Sequence, residues 1–338
     1  MPDRAADHPR AGAAEAELPA AVAGWLRRRS SLAGDWPLAD LLAAKGTTTV
    51  SVVIPARDEE ETVGDIVRTI RRDLVRTYPL VDEVVVVDSR SRDATARVAA
   101  EAGAKVVAQD AVLPTLPNLT GKGEALWKGV AATTGDLVVF VDGDLYDFTS
   151  SYVTGLLGPL LVDRTVAYVK GFYHRPLVGG GPIEVDGGGR VTELVARPLI
   201  NMYWPELAGF VQPLAGEYAG RREVLESIPF VVNYGVEIGH LIDIVSSRGL
   251  DALAQVDLGV RTHRHQDMHA LGRMSGQIML TVFDRLERCG RLVSARPPAT
   301  SLAQFGRGES GHGVAREMVL TDLTCRQRPP LASLRENA

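Results

Sequence analysis

An α/β fold with a mainly parallel, doubly wound sheet is predicted by three features of this chain. Strand-like apolar runs alternate with helix-spaced segments across residues 48–142. Those runs are apolar throughout, as buried strands are. Each ends in polar or acidic residues, and an open parallel sheet presents its ligand at the carboxyl ends of its strands.

The elements follow in order. Residues 50–54 are a buried strand closed by Pro55. Val63, Ile66, Val67, Ile70 and Leu74 then fall at i, i+3, i+4, i+7 and i+11, the spacing of one helix face. A second strand over 84–87 ends at Asp88. Residues 93–102 read as a helix with Ser91 as its cap and Gly103 as its stop. A short strand, Lys105–Ala108, precedes a helix over 123–133, and the strongly apolar strand 137–141 ends at Asp142. Further on, the regularity loosens. Residues 166–172 and Leu253–Val260 read as strands, and 190–197 opens a helix that Pro198 bends. Helices are also expected over 236–248, stopped by Gly249, and over 267–289. The expected organisation is a partly disordered N-terminal extension (1–46), a strand-and-helix half (47–145), a less regular half (146–290) and a loosely ordered tail (291–338).

Composition narrows the function. A chain of 338 residues, 45% hydrophobic and 23% charged, can bury a sizeable core. Its net charge of −5 argues against a nucleic-acid binder that works by bulk electrostatics. Two cysteines, Cys289 and Cys325, form no disulfide framework and fit a reducing, cytoplasmic setting. No apolar run approaches the ~20 residues needed to cross a bilayer, so no membrane partner is expected.

The chemistry-bearing residues cluster at strand ends. The first strand runs into Pro55-Ala56-Arg57-Asp58-Glu59-Glu60, the second into Asp88-Ser89, and the 137–141 strand into Asp142-Gly143-Asp144. Gathered on one rim, these acids are costly unless a cation or a hydrogen-bonding ligand offsets them. Asp142-Gly143-Asp144 reads either as an ordinary acidic turn or as a site for a hard divalent cation that keeps substrate phosphate oxygens as further ligands. Neither GxGxxG nor GxxxxGK[ST] is present, so dinucleotide oxidoreductases and P-loop enzymes lack their usual signature. Gly187-Gly188-Gly189-Arg190 opens a helix, where free N–H groups and a guanidinium make an anion site or, more blandly, a flexible linker. Lys122, between two glycines at a helix start, is a phosphate or base contact or a solvated lysine. Glu237 at another helix start is a dipole partner or a catalytic carboxylate.

These motifs resemble a known family. Val52-Val53-Ile54-Pro55-Ala56-Arg57-Asp58-Glu59-Glu60, Val87-Asp88-Ser89 and Phe140-Val141-Asp142-Gly143-Asp144 look like the nucleotide-sugar glycosyltransferases of the GT-A fold. Gly121-Lys122-Gly123-Glu124, Gly188-Gly189-Arg190-Val191-Thr192, Gly216-Glu217-Tyr218-Ala219, Tyr234-Gly235-Val236-Glu237 and Val260-Arg261-Thr262-His263 are similar to glucosyl-3-phosphoglycerate synthases and the related bacterial mannosyl-3-phosphoglycerate synthase. The resemblance runs in order over residues 48–265. It implies retaining transfer of glucose or mannose from a UDP- or GDP-sugar to the 2-hydroxyl of D-3-phosphoglycerate, with Mg²⁺ or Mn²⁺, in a homodimer. The product would lead to glucosylglycerate or mannosylglycerate, which are compatible solutes.

By motif match the resemblance also implies site residues. Pro55, Ala56, Arg57, Glu59, Ser89, Lys122, Asp142 and Gly143 would bind the donor. Gly188, Gly189, Arg190, Thr192 and His265 would bind the acceptor. Asp144 and His263 would ligate the metal, and Asp142 and Glu237 would face the anomeric centre, Glu237 as a positioning or charge-stabilising group and not a nucleophile. Asp58 and Arg90 stand where the family more often has Asn and a small residue. Arg57 and Arg90 add positive charge beside the nucleotide pocket and leave the choice of base open. The rivals are a polyprenyl-phosphate sugar transferase of the same fold, a nucleotidyltransferase, and a non-catalytic nucleotide-sugar-binding protein.

Overall fold

The computed structural model describes residues 19–174, 189–261, 267–308 and 315–336. Its central sheet draws on strands β1 (Ser30–Leu32), β2 (Val50–Ala56), β3 (Glu83–Asp88), β4 (Lys105–Ala108), β5 (Leu137–Phe140), β6 (Tyr168–His174) and β7 (Tyr218–Arg221). A short β8 (Phe230–Val231) lies outside it, and β9 (Leu253–Val260) completes it. The eight strands run in the order β1-β9-β6-β7-β5-β2-β3-β4. Neighbours are parallel, except that β7 runs antiparallel to both β5 and β6. The mainly parallel α/β sheet is therefore as expected, and the reversal at β7 is a feature that no local pattern announced.

Strand alternation explains why the runs are apolar on both faces. Val53, Val85, Val87, Val138 and Phe140 point into one core layer, packed by helices Lys122–Ala131 and Val236–Arg248. Val52, Ile54, Val84, Val86 and Val139 point into the other, packed by helices Val63–Ile70 and Ser151–Val162. With helices on both faces, successive side chains are buried in turn and no polar alternation survives.

Two expectations are corrected. Ser91 does not cap a helix: that helix runs Thr95–Glu101, and the Ser91 hydroxyl accepts the Asp58 backbone N–H at 3.0 Å. In the N-terminal extension Trp25 serves as an anchor: it is fully buried, donates its indole N–H to the Leu253 carbonyl at 2.8 Å, and leads into β1, which pairs with β9. The tail, where it is described, is not loose. Strands β10 (Ser301–Gly308) and β11 (Ala315–Asp322) pair as a hairpin, and β12 (Gln327–Arg328) pairs with β8. Arg328 makes a buried ion pair with Glu124 at 2.6 Å and lies over the Trp127 ring, so the tail braces the helix that begins at Lys122. Pro198 does act as expected. The turn over Thr192–Ala196 widens to π geometry just ahead of it, where proline has no N–H to return to the preceding turn.

Candidate active site

The glycines around Lys122 let a helix end approach a strand. Gly121 has φ +146°, and a Cβ at Gly123 would overlap the Val231 carbonyl, so neither position accepts a side chain. The helix Lys122–Ala131 thus begins tight against β8, with the Glu124 N–H bonded to the Val232 carbonyl at 3.1 Å. That start aims Lys122 at the carboxyl end of β5. Its ammonium lies 2.7 Å from Asp142 Oδ1 and 3.2 Å from Glu237 Oε1. Gly216, just ahead of β7, makes room for this contact, since a Cβ there would collide with both Asp142 and Lys122.

Arg261, immediately beyond β9, completes the arrangement. Its Nη2 donates to Asp142 Oδ2 at 3.2 Å and to Asp144 Oδ1 at 3.0 Å. Its Nη1 donates to both oxygens of Glu217, at 2.9 and 3.0 Å, and to the Tyr173 hydroxyl at 2.5 Å. The acid cluster expected from the strand ends is therefore offset by the chain's own Lys122 and Arg261. Burial pushes the Asp142 carboxyl up, but the two cations outweigh it and hold that carboxyl well below the usual carboxylate range. Burial likewise opposes the Lys122 charge, and Asp142 and Glu237 hold its pKa well above that of a free lysine. Arg261 stays charged for the same reason, with Glu217 as its strongest partner.

A cleft of about 380 Å³ opens above these groups. Pro55, Ala56, Arg57, Glu59, Ser89, Lys122, Asp142 and Gly143 all line it, and so does Asp144. Glu237 lies beneath, 4% exposed, and touches the cleft through Lys122. Gly189, Arg190 and Thr192 are not part of the cleft wall. Gly189 has φ +79° at the start of its helical segment, Arg190 reaches Met268 Sδ at 3.4 Å, and Thr192 is buried. Gly188, His263 and His265 lie outside the described residues. The charge expected from Arg90 is spent elsewhere, in a two-point pair with Asp110 at 2.7 and 3.1 Å. Asp58 sits at φ +56° and accepts the Arg92 N–H.

Sequence reasoning gave no role to Arg261 or Glu217, although both stand inside quoted motifs. A charged pair embedded in strand-end sequence was the available signal. It also missed Gln109, Thr120, Asn233 and Tyr234 in the cleft wall. Of these, Gln109 is fixed by the Ser89 hydroxyl at 2.8 Å and by its own bond to the Leu119 carbonyl.

The donor chemistry suits a hard cation at Asp144 and not at Asp142. Both Asp142 oxygens are engaged by cations, whereas the Asp144 side chain is 36% exposed at the rim with only Oδ1 drawn to Arg261. A carboxylate oxygen open to a cleft is what Mg²⁺ or Mn²⁺ takes when substrate oxygens and water complete the shell. Among the described residues no group of three or more His, Cys, Asp and Glu side chains converges.

Comparison with known proteins shows the family. The model of glycosyl transferase family 2 matches residues 51–198. A glucosyl-3-phosphoglycerate synthase from Mycolicibacterium smegmatis is 49% identical over 312 residues, covering 92% of this chain and 98% of the relative. The crystal structure of mannosyl-3-phosphoglycerate synthase from Rubrobacter xylanophilus superposes with a TM-score of 0.84 at 40% identity, covering 94% of this chain and 99% of that one. Glucosyl-3-phosphoglycerate synthase from Mycobacterium tuberculosis, solved with Mn²⁺, UDP-glucose and phosphoglyceric acid, gives a TM-score of 0.76 at 43% identity, covering 89% of this chain and 96% of that one.

Proposed function

Because the chain belongs to the glucosyl-3-phosphoglycerate synthase family, we propose that it transfers a hexose, glucose or mannose, from a nucleotide sugar to the 2-hydroxyl of D-3-phosphoglycerate with retention of configuration. The observation that carries this reading is the Lys122–Asp142 ion pair in the wall of a cleft at the carboxyl ends of β2, β3 and β5, with the buried Arg261 behind Asp142. A fixed cation and a charged carboxylate in such a cleft suit a diphosphate-linked sugar.

Each residue then has a task. Pro55, Ala56, Arg57, Glu59 and Ser89 shape the nucleoside end of the cleft. Lys122 sits between Asp142 and Glu237 and supplies positive charge toward the leaving diphosphate. Asp142, held ionised, faces the sugar and shields positive charge that develops at the anomeric carbon, with Glu237 beneath it. Gly189, Arg190 and Thr192, together with Gly188 and His265, would orient the phosphorylated acid so that its hydroxyl approaches from the side the diphosphate leaves. Asp144 and His263 would hold the Mg²⁺ or Mn²⁺ ion, which when bound neutralises the diphosphate. Residues 47–145 and 146–290 would carry the donor and acceptor respectively.

The chain would act as a homodimer. Phe305, Met318 and Leu320 stand exposed on the β10–β11 hairpin and supply an apolar face for a second copy. A cytoplasmic location fits the two unpaired cysteines, and the product fits compatible-solute synthesis. The direct test is a donor panel of UDP-glucose, GDP-glucose and GDP-mannose with 3-phosphoglycerate, with and without EDTA. Turnover with one or more donors that EDTA abolishes is expected. No turnover with any of them in excess Mn²⁺ overturns the reading.

A further inference from the structure

Two segments of the cleft wall are tied to one short strand of the tail. The first is Thr120-Gly121-Lys122, which leads into the helix Lys122–Ala131, and the second is Asn233-Tyr234, just beyond β8. The two segments meet closely: a Cβ at Gly121 would stand 2.3 Å from both the Val232 carbonyl and the Asn233 side chain. β8 stands outside the central sheet and forms a two-stranded sheet with β12. The Val232 N–H extends that pairing, donating to the Arg326 carbonyl at 2.9 Å, and the Val232 carbonyl accepts the Glu124 N–H at 3.1 Å.

Arg328, on β12, holds the first segment. It is 5% exposed, and Glu124, two positions past Lys122, is fully buried. Arg328 Nε donates to Glu124 Oε2 at 2.7 Å, and Nη2 donates to Oε1 at 2.6 Å. The same Nη2 donates to the Pro117 carbonyl, three residues ahead of Thr120. A planar fork that reaches a loop carbonyl and a helix carboxylate at once fixes the loop against the helix start. The guanidinium also lies 5.1 Å from the centre of the Trp127 ring, and the Trp127 indole N–H donates to the Pro329 carbonyl at 3.0 Å. Behind the strand, the Gln327 amide donates to Asp284 Oδ2 at 2.8 Å on the helix Met268–Arg288.

Stability alone does not call for this pair, since apolar side chains of similar volume often match or exceed a buried ion pair. What the fork adds is one fixed geometry, and the segment it fixes carries the lysine that stands 2.7 Å from Asp142 and 3.2 Å from Glu237. We propose that Arg328 is a positioning residue for the nucleotide-sugar donor: through Glu124, the Pro117 carbonyl and the β12–β8 pairing it holds the 120–122 and 233–234 walls at the spacing that grips the donor. Arg328 itself does not line the cleft, so it acts through these neighbours. The proposal rests on the hexosyl-transfer reading above.

The test uses the full chain with Mn²⁺ and starts from calorimetric binding of UDP and GDP to the wild type. If neither binds, the transfer reading falls and this proposal falls with it. Arg328→Met/Glu124→Gln then removes the fork and leaves no buried charge behind, so the fold is kept. We expect affinity for the nucleotide to fall about tenfold while the KM for 3-phosphoglycerate stays within about twofold. Nucleotide affinity within about twofold of wild type overturns the proposal. So does a parallel loss on the donor and acceptor sides, which is what a merely structural role gives. If the double variant does not fold, amide exchange on the wild type decides. Coupling between two sites is reciprocal, so a nucleotide gripped by walls that β12 holds must in turn protect β12. Exchange over residues 323–328 slowed about threefold or more by saturating nucleotide supports the proposal, and slowing confined to the cleft walls overturns it.

Discussion

Lys122 Nζ stands 2.7 Å from Asp142 Oδ1, joining the start of a helix to the end of a strand at the floor of the cleft. The pair exists because the facing residue is Gly216, whose missing Cβ leaves room for both side chains. Gly216→Ala should therefore push the two charged groups apart without touching the core. We expect kcat/KM to fall about tenfold or more with a stability change within about 1 kcal/mol. Gly123→Ala provides the contrast. Its Cβ would meet the Val231 carbonyl, which is backbone and cannot rotate away, so stability should drop by about 3 kcal/mol. Kinetics and denaturant titrations on both variants check the split.

Arg261 carries Glu217, whose side chain is fully buried. Arg261→Met removes its strongest counter-charge, and a loss of about 3–5 kcal/mol in unfolding free energy is expected. Adding Glu217→Gln should recover a large part of that stability, because the buried charge goes as well. Additive losses in the double variant would contradict the pairing.

Asp144 is the cleft carboxylate proposed to hold the metal, its side chain 36% exposed. Asp144→Asn should raise the Mn²⁺ concentration for half-maximal activity about tenfold or more and lower turnover further at saturation. Calorimetric titration with Mn²⁺ in the presence of UDP reads the same site without turnover. A variant with wild-type Mn²⁺ dependence in both assays would remove Asp144 from the ligand set.

Stability should depend on pH through two buried groups, Lys170 on β6 and His240 on the helix Val236–Arg248, each 1% exposed. The Lys170 pKa is pushed down to about 7 by burial, from 10.5 in the unfolded chain. Between those values the unfolded chain holds a proton that the folded chain has released, so the folded state gains stability as pH rises. One such group contributes up to about 5 kcal/mol over that window. His240, buried and kept neutral in the fold, acts at the acid end. Below pH 6.5 the unfolded chain takes up its proton, and stability falls as pH falls. Lys170→Met should flatten the rise from pH 7 to 10 and, because the Lys170 charge also helps keep His240 neutral, soften the loss on the acid side. Denaturation midpoints at several pH values check this, and equal slopes for the two proteins would contradict it.

How much of this was readable from the chain depended on range. The 50–54, 84–87 and 137–141 runs and the 63–74 periodicity announced their elements because alternation and helical spacing are local, and β2, β3, β5 and the Val63–Ile70 helix lie where those runs are. That the motif residues at the strand ends come together was legible too, since strand ends in an open sheet share one rim, and they line one cleft.

Other features had no local signature. The reversal of β7, the anchoring of Trp25 at Leu253 and the Arg328–Glu124 pair join segments far apart in the chain. The two-residue strand β12 is too short to carry a period, and its partner β8 is no longer. Arg261 is the clearest instance. Its contact with Asp142 spans 119 positions, and its neighbours in sequence say nothing of it.

Amino-acid order alone settled the layered α/β architecture and which acids gather at its rim, because apolar periodicity and strand ends are short-range properties. Which cations neutralise those acids, and that a lysine lies hidden behind them, was settled by packing: a charge finds its partner through space, and burial sets what that pairing is worth.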